Sequence, residues 1–332
     1  MAIARSDLGA LLREQGDTAG AARELTEALT LLAPLAPDFA TIPAYHEAGA
    51  AARSFLAEVY RDQGRTAEAR TLCERAIDTY RQLADQVAEQ PSYRERLAVT
   101  RALLGRVLLQ LNDRPLAEEA FRAALTDLDD LMSLAPSAAA YRHEAAHVRW
   151  RWGEAFHRAG RQADADQQFR IAERLWNGLV ADCPEPEYLH DVAWYLTSCA
   201  DGSRRDPRKA IDLLQQSLRR APQNAKYRGA LGAAHYRAGQ WDLAVTALTE
   251  ALRQRPDGDG TMYLYLAMAY QKRGDKDQAN AGLQRGTRWV QERCPGDPDL
   301  QQLRNEAMGV LGGQTPAPDP GANAAAAPPR SC

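Results

Sequence analysis

Apolar positions along this chain recur with helical spacing: Ala52, Phe55, Leu56, Val59 and Tyr60 lead to Gly64, and Ala69, Leu72, Cys73, Ala76 and Tyr80 follow it. Residues three and four apart share one helix face, so each run predicts an amphipathic helix, with a tight turn between them at the glycine. The hairpin returns every 48 residues, as Ala28, Ala76, Ala124 and Ala172 show, with small residues keeping step at Gly9, Ala57, Gly105 and Gly153. Turn residues (Gly16, Gly64, Asn112, Gly160), bulky residues (Leu25, Cys73, Phe121, Phe169) and tyrosines (Tyr45, Tyr93, Tyr141) hold the same register. A period kept over so many columns predicts stacked helix pairs around one continuous core.

The columns have a steric logic. Two helices of a hairpin approach closely only where neither carries a large side chain, and the bulky residue fills the space beside that crossing. Glycine suits the helix end, where a left-handed conformation costs it little, and Pro115 suits a first helical turn, where a missing N–H does no harm. After the fourth unit the period shortens: Ala210, Ala244 and Ala279 are 34 and 35 residues apart, and Pro222 and Pro256 are 34 apart. The extra residues of the longer units are expected to lengthen their helices. SCADGSRRDP, between Leu196 and Ala210, predicts an irregular turn in the fifth unit.

The segment YRGALGAAHYRAGQWDLAVTALTEALRQRP carries Leu231, Gly232, Gly239, Ala244, Leu248, Ala251 and Pro256, and GEAFHRAGRQADADQQFRIA repeats the pattern upstream. These segments resemble the tetratricopeptide repeat, and the likeness covers about residues 2 to 293. The long units (YRERLA, YRHEAA, AWYLTSCADGSRRDPRKAIDLL) further resemble C-terminal repeat arrays of large bacterial proteins, serine/threonine kinases among them. The resemblance implies an all-α, right-handed α-solenoid of about seven helix pairs plus a capping helix. Residues 1–200 would hold the 48-residue units and the start of the fifth, residues 201–293 the standard units, residues 294–311 the cap, and 312–332 a disordered proline, alanine and glycine tail. Extrapolated backwards, the tyrosine column falls before Met1, so the first unit reads as truncated, from a chain once longer or naturally shortened.

Charge is nearly balanced, 41 basic against 44 acidic side chains, so the overall field favours neither nucleic acid nor an anionic membrane. No apolar run approaches the roughly 20 residues that span a bilayer. The N-terminus lacks the apolar stretch of a secretory signal. Five cysteines show no C-x-x-C pair and no even framework. They predict free thiols in a reducing, cytoplasmic setting.

His143-Glu144-Ala145-Ala146-His147 matches H-E-x-x-H, a spacing that sets two imidazoles on one helix face as a zinc hydrolase requires. By register, however, the five residues align with ordinary first-helix positions at Glu47–Ala51 and Glu95–Val99, Trp150 stands where the extended motif wants glycine, and no third ligand is apparent. Neither a catalytic nor a metal site is therefore expected. The segment Asp257-Gly258-Asp259-Gly260 resembles a calcium loop without its distal glutamate and reads as a turn. No cofactor is expected.

The resemblance also implies that certain first-helix positions face a groove that holds a peptide or partner helix. By register these are Arg61, Arg106, His147, Trp150, Glu154, His157, Arg158, His190, Trp194, Tyr236 and Arg237. Tryptophan and arginine commonly anchor interfaces; the alternatives are that Trp150 packs against a neighbouring helix and that the charges form a solvated face. The Lys–Asn and Lys–Arg pairs with which some arrays clamp a chaperone's terminal carboxylate are missing: the positions read Ser54 and Glu58, Ala102 and Arg106, Trp150 and Glu154, Gly229 and Ala233. The expectation is a non-enzymatic scaffold for a protein or peptide partner, with self-association through the solenoid ends as a further possibility. Alternatives are a recruitment module detached from a signalling protein and, more distantly, a zinc hydrolase.

Overall fold

A computed structural model describes residues 1–33, 42–255 and 258–312. Fifteen α-helices lie among them: α1 (Ala2–Glu14), α2 (Thr18–Leu32), α3 (Pro43–Asp62), α4 (Thr66–Gln86), α5 (Pro91–Gln110), α6 (Arg114–Leu134), α7 (Ala139–Arg158), α8 (Gln162–Asp182), α9 (Pro186–Ser198), α10 (Pro207–Arg220), α11 (Ala225–Arg237), α12 (Trp241–Gln254), α13 (Gly260–Arg273), α14 (Lys276–Arg293) and α15 (Pro298–Val310). The first fourteen form seven antiparallel pairs, each packed on the next, and α15 lies on α13 and α14. Residues 313–332, with Cys332, and Pro256 and Asp257, expected from the sequence to form a turn, fall outside the described residues.

The small-residue column does what its sterics predict. A Cβ built on Gly153 would stand 2.8 Å from the Phe169 ring, and one on Gly232 would stand 2.5 Å from Leu248 Cγ. Ala28, Ala76, Ala124 and Ala172 are fully buried, and Cys73 takes its place in the core among Ala57, Ala69, Leu103 and Val107. The long units owe their extra residues to longer helices, 20 and 21 residues in α3 and α4 against 13 and 14 in α11 and α12. Gly64 and Gly160 take φ of +78° and +73°, and Asn112 fills the same role at +60°, which asparagine tolerates better than most residues. Pro115 sits in the first turn of α6. SCADGSRRDP forms a short 3₁₀ turn at Gly202–Arg204, after which Asp206 accepts from Lys209 N–H and caps α10. Cys73, Cys183, Cys199 and Cys294 are free thiols.

The last elements reach back across the array. Gly296, in the turn between α14 and α15, donates its N–H to the Asp62 carbonyl at 2.8 Å, and its own carbonyl accepts from Gln110 Nε2 at 2.7 Å. One turn earlier, the Arg293 carbonyl accepts from Thr18 Oγ1 at 2.9 Å while its guanidinium donates to the Gly16 carbonyl at 2.8 Å. The α14–α15 turn thus bridges the turns that end α1, α3 and α5. A Cβ on Gly296 would meet Arg61 O and Gly64 N at 2.4 Å, and backbone cannot yield as a flexible side chain would. Gly296→Ala is expected to cost about 1–3 kcal/mol, the range for overpacking, and to speed hydrogen exchange at the Gly296 amide; an unchanged exchange rate would show that the bridge is dispensable.

Candidate peptide-binding groove

First helices line the inner face, since α1 touches α3, α3 touches α5, α5 touches α7, α9 touches α11 and α11 touches α13, while the second helices pack outside them. Asp297 starts α15 by accepting from the N–H of Asp299 and Leu300. That helix carries its acidic residues onto the inner face.

Three ionic clusters follow. At the first, Asp62 Oδ1 accepts from Arg61 Nε at 3.0 Å, Asp62 Oδ2 lies 3.4 Å from Arg13 Nε, and Arg13 Nη1 lies 2.6 Å from Glu58. At the second, Asp299 binds Arg151 at 2.7 Å and Arg158 at 2.5 Å, and Arg151 also reaches Glu154 at 3.1 Å. At the third, Arg237 pairs with Glu306 at 2.8 Å and donates to Tyr265 Oη at 3.1 Å. Between the first two lies Arg106, half-buried and without an ion pair or hydrogen bond among the described residues. Burial, with Arg61 and Arg151 close by, outweighs the attraction of Asp62 and Glu58 and pushes its guanidinium down to about 9, so it remains a cation at neutral pH. Arg61, Arg106, Gln110, Arg151 and Arg158 share one cavity, and only Glu154 and Asp299 offer negative charge there.

The aromatic candidates divide. Trp150 is 1% exposed and packs edge-on against Trp176 and Tyr195, both at 5.8 Å between centroids; it is a core residue. Tyr236 is buried against Tyr265 at 5.7 Å. Trp194 is half-buried and lines a second inner cavity with Arg237, Tyr265 and Glu306. His157 Nδ1 lies 3.1 Å from Gln162 Oε1, at the end of α7. His147 and the buried His190 both meet Asp191, as does His143: His143 Nε2 and His147 Nε2 lie 3.0 and 3.2 Å from Asp191 Oδ2, and His190 Nδ1 lies 2.7 Å from Asp191 Oδ1. The sequence shows no third group beside the histidine pair; in the fold, Asp191 stands within hydrogen-bond distance of both. It stands 48 residues after His143, in the same column, where the repeat register could have located it. Also missed were Arg151, Asp299 and Glu306.

Asp299 titrates in a telling direction. Burial raises it, but Arg151 and Arg158 outweigh burial and hold its carboxyl below the usual aspartate range. Glu154 goes the other way, raised by burial and by the nearby Asp299 against the pull of Arg151. A carboxylate with a depressed folded value adds stability above its unfolded value, near pH 4, and that stability fades as pH falls toward the folded value. Thermal unfolding of the wild type and Asp299→Asn from pH 6 to 2 should show a gap that is wide above about pH 4 and closes below it. A gap constant with pH would contradict the ion pair.

Family models described as tetratricopeptide repeat match residues 2–27 and 98–123, 50–86, 195–259 and 236–306, together more than half of the chain. Among solved structures, a tetratricopeptide repeat protein from Parabacteroides merdae is 11% identical with a TM-score of 0.45, the match covering 92% of this chain and 97% of that one. Yeast Tom70 is 13% identical with a TM-score of 0.42, over 94% of this chain and 73% of that one. YrrB, titled as having an unusual peptide-binding site, is 15% identical with a TM-score of 0.37, over 69% and 97%. No curated protein sequence matches the chain significantly. No described helix is long and apolar enough to cross a membrane.

Proposed function

Because the chain belongs to the tetratricopeptide repeat family, a fold of protein-interaction scaffolds, we propose that it is a non-enzymatic scaffold whose inner face holds an acidic segment of a partner protein. The observation that carries this reading is Arg106, a half-buried cation without an ion pair among the described residues, flanked by Arg61, Arg151 and Arg158. A desolvated arginine binds a carboxylate more strongly than a surface one, because the pair is less screened and the planar fork donates to two oxygens at once. The chain's own α15 illustrates the chemistry: Asp299 and Glu306 are carboxylates on a helix held by Arg151, Arg158 and Arg237. Arg106 and Arg158 are the contacts proposed for the partner, with Trp194 supplying apolar surface further along; Arg61, expected from the register to face the groove, is instead buried in its pair with Asp62. His157 lies at the rim.

A displayed peptide library selected on the full chain tests this. Enrichment of acidic sequences, weakening as salt rises, is expected; enrichment of neutral or basic sequences would sink the proposal.

A further inference from the structure

We infer that His143, His147 and Asp191 form a binding site for one divalent first-row cation of the zinc class. The site goes beyond peptide binding and does not depend on it. On α7 the i, i+4 spacing brings the two imidazoles to one face, with ring centroids 4.7 Å apart. The 48-residue register then sets Asp191, on α9, opposite them. Both Nε2 atoms converge on a single oxygen, Asp191 Oδ2, at 3.0 and 3.2 Å, and the three candidate ligand atoms all lie within 4.8 Å of one another. Ligands about 2.0–2.2 Å from a tetrahedral zinc stand roughly 3.3–3.5 Å apart, so small side-chain shifts suffice to admit the ion.

The surroundings favour a metal as well. Asp191 Oδ1 is held by His190 Nδ1 at 2.7 Å, the kind of outer partner that orients a ligating carboxylate. Tyr188 packs on His143 at 4.7 Å, and Trp150 and Trp176 flank His147 at 5.7 Å, so most of the site is dry. The open side faces the inner surface: His147 is 27% exposed and lines a cavity with Glu58, Val99, Arg106 and Arg151. That leaves room for water, or a partner's side chain, as a further ligand. Two imidazoles and one carboxylate suit Zn²⁺, Co²⁺ or Ni²⁺, whereas Mg²⁺ and Ca²⁺ prefer oxygen alone. A bound ion would join α7 to α9 and fix the pitch of the inner face there.

The test uses the full chain, free of any affinity tag and stripped with a chelator. Titration with Co²⁺, followed by visible absorption, is expected to give one ion per chain with the intense bands of low coordination number, displaced by one equivalent of Zn²⁺ and untouched by Mg²⁺. His147→Gln and Asp191→Asn should each weaken binding by more than tenfold, and His190→Asn, which leaves the ligands in place, by about 10–100-fold. His235→Gln, remote from the site, should change nothing. A wild-type chain that shows no such bands, or equal affinity in His147→Gln and Asp191→Asn, would overturn the site. Should those variants fail to fold, the wild-type spectrum decides alone.

Discussion

Trp176→Ala is expected to lower the stability of the array by about 3–5 kcal/mol, the range for emptying a large aromatic site in a core. Trp176 is 1% exposed on α8 and sits at the junction of three helices, 5.8 Å from Trp150 of α7 and 4.9 Å from Tyr195 of α9. Its loss removes buried apolar area and two aromatic contacts worth about 0.5–1.5 kcal/mol each. The cavity cannot collapse easily, because Trp150 and Tyr195 are themselves fixed between helix pairs. Trp241 is the control: it is 39% exposed on α12, and its replacement should stay within about 0.5 kcal/mol. Urea unfolding of the two variants, followed by circular dichroism, measures the difference. Equal effects would mean that the α7–α9 junction is looser than described.

Asp62→Ala should cost about 3–5 kcal/mol, for an electrostatic reason. The Arg61 and Asp62 side chains are 4% and 9% exposed, so deleting the carboxylate strands a buried guanidinium and removes one of the two carboxylates paired with Arg13. Burial would raise Asp62, yet Arg61 and Arg13 hold it below its ordinary value, so the pair is ionised at neutral pH. The double replacement Arg61→Met with Asp62→Leu should recover most of the loss, since apolar side chains of similar size avoid the desolvation of both ions. Urea midpoints for the single and double variants check this. A single variant losing less than about 1 kcal/mol would show the pair to be solvated.

Much of the fold was legible in the sequence, because stacked helix pairs contact mainly their neighbours and a local pattern repeated seven times is enough to specify them. Gly153 opposite Phe169 and Gly232 opposite Leu248 follow from the columns alone. The inner face was less legible. Trp150 and Trp194 both lie on first helices, yet one is buried and the other half-exposed, because Trp176 and Tyr195 pack against the first. Arg151, Arg158 and Arg237 take their partners from α15, up to 148 residues away, and no local periodicity encodes such contacts. They depend on how far the array curves. Asp191 was readable in principle, as the next member of the His143 column.

The affinity of a selected acidic peptide for Arg106→Gln, set beside Arg70→Gln, bears most directly on the inner arginine face. Both changes remove one positive charge, but Arg70 is an exposed residue of an outer helix, paired with Glu74. Anchoring by Arg106 predicts a loss of about 2 kcal/mol or more, some thirtyfold, for Arg106→Gln and almost none for Arg70→Gln. Equal losses would reduce the binding to net charge, and no loss in Arg106→Gln would contradict the proposed groove.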